Sequence, residues 1–97
     1  FGKPTELAVT AQPRQEIPVN VWIKGRAIPN YDAGTWRRDD FGAVIRFYDY
    51  GNRSSEYGWE VDPILPAAMG GSDDISNLRP LHYRINAGLG GVLGGTR

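Results

Sequence analysis

The residues with chemistry to offer are concentrated in one stretch, WEVDPILPAAMGGSDDISNLRPLHYRIN, which runs from Trp59 to Asn86. It holds a carboxylate (Asp62) at the end of an apolar run, an amide (Asn77) after a Gly-Gly loop, the single histidine of the chain (His82) and a second amide (Asn86). Carboxylate and amide oxygens are the hard ligands that a Mg²⁺-like ion takes, and such an ion stabilises negative charge on a phosphate and on its leaving oxygen. An imidazole, with a pKa near neutrality, is the usual base for drawing a proton from an attacking water. Residue types of this kind can serve metal-assisted phosphodiester hydrolysis. Taken singly, each residue has a plainer role: Asp73 and Asp74 as solvated acids of a hairpin loop, Asn77 as a turn former, His82 as a half-buried histidine.

The elements that must position these residues follow from the surrounding pattern. YGWEVDPILP is strand-like, so residues 57–66 and 78–82 are expected to pair antiparallel across the Gly70-Gly71 loop. A short helix from about Tyr83 is expected to carry Asn86. Its extension is limited by Gly88, Gly90, Gly91, Gly94 and Gly95, each costing roughly 1 kcal/mol against Ala in a helix interior. Upstream, VNVWIKGRAI (19–28) alternates Val19, Val21 and Ile23 with polar neighbours and predicts a strand, closed by the turn residues of PNYDAG. AVIRFYDY (43–50), β-branched and aromatic, predicts another. Residues 1–18, punctuated by Pro4, Pro13 and Pro18, read as an arm with ELAVT as a candidate edge strand. The expected fold class is α+β: one domain over 19–97, small and mostly antiparallel β, with one short C-terminal helix.

Composition sets limits on function. Ninety-seven residues at 40% hydrophobic content suit one compact domain. Eleven basic and eleven acidic side chains give a formal net charge of zero, so no global positive field draws nucleic acid and any phosphate binding must come from a local patch. Without cysteine there is neither a disulfide framework nor a thiolate zinc site. No apolar run is long enough for a membrane span and no signal peptide is visible, so a cytoplasmic protein without a membrane partner is expected. The chain begins at Phe1, which suggests a trimmed or partial product.

The order Asp62, GGSDDISNL with Asn77, then Asn86, resembles the HNH endonuclease family. The ββα-metal motif of that family runs Asp-His at a strand end, a loop, an Asn followed by an apolar residue, and a His or Asn on the following helix. The lead-in NYDAGTWRRDDFGAVIRFYDYGNRSSEYGWEVD looks like that of a bacterial branch. The resemblance covers roughly residues 22–91, with the ββα motif at about 57–91 and GGSDDISNLRPLH as its specific core. It implies Asp62 and Asn86 as ligands of a weakly bound Mg²⁺, Mn²⁺ or Zn²⁺, and Asn77 as a structural residue. This sequence departs from the family at two functional positions. Pro63 stands where the family keeps its general-base histidine, and Leu89 where it keeps a lysine near the phosphate. Loss of a general base commonly removes about 10²–10⁴ in rate, so the expectation is an impaired enzyme, with His82 as a stand-in base the alternative.

Three functions from different classes follow. The first is nucleic-acid binding without cleavage, DNA before RNA, through a local patch of Arg79, Arg84, Arg53 and Arg46, with Arg37 and Arg38 as further candidates. The second is an active metal-dependent endonuclease using His82 or solvent as base. The third is a protein-interaction or homo-oligomerisation module, suggested by the neutral charge and the VLGG tail. Arg37 and Arg38 are followed by Asp39 and Asp40, and this run reads as a self-neutralised solvated face. The aromatics Trp22, Trp36, Trp59, Tyr48, Tyr50, Tyr57 and Tyr83 read mainly as core, because they carry the largest buriable area.

Overall fold

The computed structural model describes residues 16–92. The ELAVT segment and the side chains of Val92 and Leu93 lie outside the described residues. Two antiparallel sheets and one ten-residue helix make a small α+β fold. In chain order the elements are α1 (Val19–Trp22), β1 (Arg26–Ala27), β2 (Trp36–Arg38), β3 (Val44–Arg46), a 3-10 turn (Phe47–Asp49), β4 (Trp59–Pro63), β5 (Leu78–His82) and α2 (Tyr83–Val92), with two further 3-10 turns between β4 and β5. Strands β1, β2 and β3 form one sheet in that order, and β4 with β5 form the other.

The 19–28 segment is not the strand that its alternation predicts. Pro18 opens α1, and its carbonyl accepts the N–H groups of Val21 and Trp22, both at 3.0 Å. Val21 and Trp22 are both buried, whereas Val19 and Ile23 are exposed. Adjacent residues of a strand point to opposite faces, and a turn of helix can aim both at one core. The pattern therefore gave way to tertiary packing, and only Arg26–Ala27 is extended. The 43–50 segment is likewise shorter as a strand than expected, because the chain leaves β3 at Arg46 and coils through Phe47–Asp49. Strand β2 fills the place read as a solvated charged run.

Val21, Trp22, Ile45 and Trp59 form the core, with Ile17, Phe47, Tyr50, Val61 and Leu78 packed around it. The Trp22 and Trp59 rings lie 5.3 Å apart, and Phe47 meets Trp22 edge-on at 5.4 Å. Both indole N–H groups are satisfied, Trp22 by the Ala33 carbonyl and Trp59 by the Phe47 carbonyl. A tryptophan buries about 150–250 Å², worth at most about 4–6 kcal/mol at 25 cal/mol per Å². Two of them side by side supply much of what holds so short a chain together. Tyr48, by contrast, is exposed.

Asp39 corrects the reading of the RRDD run. Its carboxylate is buried at 1% exposure and does not neutralise the preceding arginines. Oδ1 accepts the N–H groups of Phe41 and Ala43 and so closes the β2–β3 turn, while Oδ2 accepts the N–H of His82 across the fold. One carboxylate thus ties the three-stranded sheet to the end of β5.

Candidate functional site

The hairpin of β4 and β5 pairs Trp59 with His82, Glu60 with Leu81, Val61 with Pro80, Asp62 with Arg79 and Pro63 with Leu78. Side chains alternate along a strand, so Glu60, Asp62, Arg79 and Leu81 share one face, and Trp59, Val61, Pro63, Leu78, Pro80 and His82 the other. The second face looks into the aromatic core. Helix α2 leaves β5 directly and lies over the first, where Asn86 Nδ2 donates to Glu60 Oε1 at 2.8 Å. Asp62 and Asn86 therefore belong to the same side of the hairpin.

The long β4–β5 connection is closed by Asn77. Its Oδ1 accepts the Leu65 N–H, its Nδ2 donates to the carbonyls of Leu65 and Ser72, and its backbone carbonyl accepts the Ile64 N–H. The two glycines serve different needs. Gly70 adopts φ of 93°, which L side chains rarely take, and a Cβ at Gly71 would stand 1.6 Å from the Leu65 carbonyl oxygen. Asp73 and Asp74 are exposed on this loop.

The acids of the hairpin face are held by arginines. Asp62 has no exposed side-chain surface, and Arg79 Nε donates to its Oδ2 at 2.9 Å. Arg79 also reaches Asp40 through Nη1 at 3.3 Å and lies over the Phe41 ring. Glu60 takes a bidentate pair from Arg53, with Nε to Oε2 at 2.6 Å and Nη2 to Oε1 at 2.8 Å. Arg53, aided by the Asn86 amide and opposed by partial burial, holds the Glu60 carboxyl below the usual carboxylate range. Glu60 in turn holds the Arg53 guanidinium above its usual value.

As they are paired here, these residues are not arranged as a ready site for a divalent cation. Such an ion takes about six oxygen ligands, and a guanidinium already bonded to its carboxylate competes with it. Here a guanidinium already sits on Asp62, the Asn86 amide points its N–H at Glu60, and residue 63 is a proline. Among the described residues no group of three or more His, Cys, Asp or Glu side chains is arranged to hold a metal.

His82 is buried at 6% exposure on the core side of the hairpin. Its Nδ1 accepts the Arg84 N–H at 3.1 Å, which leaves the proton on Nε2, where it is donated to the Glu56 carbonyl at 2.7 Å. The ring stacks on Tyr83 at 4.9 Å. In this position His82 takes up one of the free N–H groups at the start of α2 and directs neither nitrogen towards Asp62.

The arginines divide into two sets. Arg79 and Arg53 are spent on the hairpin acids, and Arg46 stands 3.9 Å from Asp49 while lying over Trp36. Arg84 is exposed and rests on Tyr83. On the three-stranded sheet, Arg26 bonds the Asp39 carbonyl, Arg37 those of Ala33, Ile23 and Gly25, and Arg38 that of Gly42. None of these three meets a carboxylate among the described residues. Glu60, Asp40 and Asp39 are the residues that sequence reasoning missed. Glu60 alone had a signal, its place two residues before Asp62 on the same strand face. Comparison with protein-family models, with curated proteins and with solved structures yields no match.

Proposed function

We propose that the chain is an HNH-type nuclease scaffold that binds nucleic acid and does not cut it. The distribution of charge carries this reading. Glu60 and Asp62, the acids of the hairpin face, are each paired with an arginine, whereas Arg26, Arg37 and Arg38 of the three-stranded sheet have carbonyl oxygens as their partners. A buried acid already bonded to a guanidinium is a poor metal ligand, Pro63 cannot accept a proton, and the ring nitrogens of His82 are engaged by backbone groups. Carbonyl-anchored guanidiniums keep their full charge, and that is what neutralises phosphates in an overall neutral protein. Arg84 adds a further exposed cation near the start of α2.

The test is paired. Fluorescence anisotropy with labelled DNA and RNA over a salt series should give binding that weakens linearly in log–log form, with a slope of about −0.7 to −0.9 per phosphate contacted. Supercoiled plasmid with Mg²⁺, Mn²⁺ or Zn²⁺ should stay intact. Metal-dependent nicking lost in Asp62→Asn would overturn the non-cleaving half, and absence of binding to every nucleic acid at low salt the binding half. A protein-interaction module is favoured by a different observation: Ile64, Leu65, Met69 and Ile75, all on the β4–β5 connection, are exposed. Its signature is a mass that rises with concentration in sedimentation equilibrium and falls to that of the monomer in Met69→Glu.

A further inference from the structure

The face of the three-stranded sheet that carries Trp36 and Arg38 holds a cleft of about 360 Å³, lined by Ile28, Tyr31, Trp36, Arg38, Val44 and Tyr57. This is near the lower end of the roughly 300–1,000 Å³ that ligand pockets span. Its composition is selective: three aromatic rings, two aliphatic side chains, one guanidinium and no acid. Strand register gathers more positive charge around it, because Arg26 is the cross-strand partner of Arg38, and Arg46 that of Trp36. Like charges directly opposite each other destabilise a sheet, so the Arg26–Arg38 pair is a feature that an anion would relieve.

The rings are fixed to different degrees. Tyr57 meets Trp36 edge-on at 5.0 Å, and Arg46 lies over Trp36 at 5.7 Å, so these two rings form a braced wall. Tyr31 is 62% exposed at the mouth. A turn sets it there, with Pro29 and Asn30 at its centre, Asn30 at φ of 70° and the Tyr31 N–H donating to the Ile28 carbonyl. Arg38 is anchored by Nη1 on the Gly42 carbonyl and is itself exposed. A flat apolar group carrying an anion beside it matches this lining, and a nucleobase with its phosphate is such a group.

We propose that this cleft takes one unpaired nucleotide of a single strand, with the base against Tyr31 and the Trp36–Tyr57 wall and its phosphate on Arg38 with Arg26 behind. The inference rests on the nucleic-acid reading above and narrows it from duplex to single strand. A paired base is stacked on both faces and offers no free ring to the cleft.

The full chain is titrated with a labelled ten-nucleotide single strand, as DNA and as RNA, with the same DNA as a duplex, and with a DNA single strand of the same length that is abasic at every position. Single strands should bind better than the duplex and the abasic strand worse than the intact one. Tyr31→Ala should weaken intact single strands by about 5- to 20-fold, Tyr31→Phe by less than about 2-fold, and neither should change affinity for the abasic strand. Arg38→Ala should weaken all strands and reduce the salt slope by about one phosphate contact. Both side chains are exposed, so neither variant should lower the urea midpoint below that of wild type. The Trp36 indole N–H resonance should shift when the single strand is added. Equal affinities of wild type, Tyr31→Ala and Arg38→Ala would overturn the cleft and leave nucleic-acid binding elsewhere standing. No binding of any strand would overturn both.

Discussion

Replacing Asp39 should cost more than replacing any acid on the surface, and the cost can be worked from its three bonds. Oδ1 accepts from Phe41 N and Ala43 N, each at 2.9 Å, and Oδ2 from His82 N at 2.9 Å. A hydrogen bond to a charged group contributes about 1.5–3 kcal/mol net. Three on one carboxylate are not additive, and desolvation of a group at 1% exposure subtracts from the sum, so Asp39→Ala should cost about 3–5 kcal/mol. Against a stability of about 5–15 kcal/mol for a domain, that is a large share. Asp39→Asn separates the two ends of the side chain. Its Oδ1 can keep Phe41 and Ala43, but its NH₂ group then faces the His82 N–H, donor against donor, and the loss should be near 2 kcal/mol. Urea unfolding followed by tryptophan fluorescence reads the difference. With a slope of about 1.5 kcal/mol/M, a loss of 3 kcal/mol lowers the midpoint by about 2 M. Asp40→Ala, which removes a largely exposed partner of Arg79, is the control and should cost less than about 1 kcal/mol. If Asp39→Ala lies within 1 kcal/mol of wild type, or Asn is no milder than Ala, the carboxylate does not tie the sheet to β5 and the reasoning fails.

Four shorter expectations accompany it. Arg79→Ala takes the guanidinium from a buried carboxylate and should destabilise by about 3 kcal/mol, read from the same unfolding curves, with Asp62→Leu/Arg79→Leu milder than the single change. Pro63→His should leave plasmid DNA intact with Mg²⁺ or Mn²⁺, because Arg79 still occupies Asp62, and nicking by that single variant would refute the point. Gly71→Ala should lower the urea midpoint by the equivalent of about 2–3 kcal/mol, since the Leu65 carbonyl would have to move, whereas Gly88→Ala meets nothing nearby and should be neutral or stabilising. Glu60 is held below its ordinary value of 4.5, so its stabilising share is complete above that pH and is lost as pH falls through the lower folded value. Thermal midpoints of Glu60→Gln should therefore fall less than those of wild type on acidification from pH 5 to pH 3.

The hairpin, its loop and the helix after it were legible because their signals are local. Alternation over Trp59–Pro63, the Gly-Gly pair and the glycine-rich end of α2 all act within a few residues. The helical turn at Val19–Trp22 was not, because VNVW alternates as a strand does and its conformation is decided by where Trp22 must go, against Trp59 and Phe47 far along the chain. Asp39 was unreadable for the same reason. An acid beside two arginines reads as exposed, and the fact that buries it is a backbone N–H 43 residues away. In the candidate site, sequence located Asp62 and Asn86 on one side of the hairpin but not the guanidinium between acid and solvent. Strand register alone makes Arg79 the partner of Asp62, and register depends on how the connection closes.

That pairing bears on how the hairpin finds its alignment during folding. A two-residue turn dictates which residues of two strands meet, but the connection between Pro63 and Leu78 is long enough to admit several alignments. A slip of one residue would carry Asp62 and Arg79 to opposite faces and turn Trp59 out of the core, so the wrong alignments strand a charge or an indole in the wrong medium. The buried pair adds little net energy to the finished fold but raises the energy of its near neighbours. A variant with leucine at both positions should be the one that folds to more than one hairpin, visible as doubled amide resonances for residues 59–63 and 78–82.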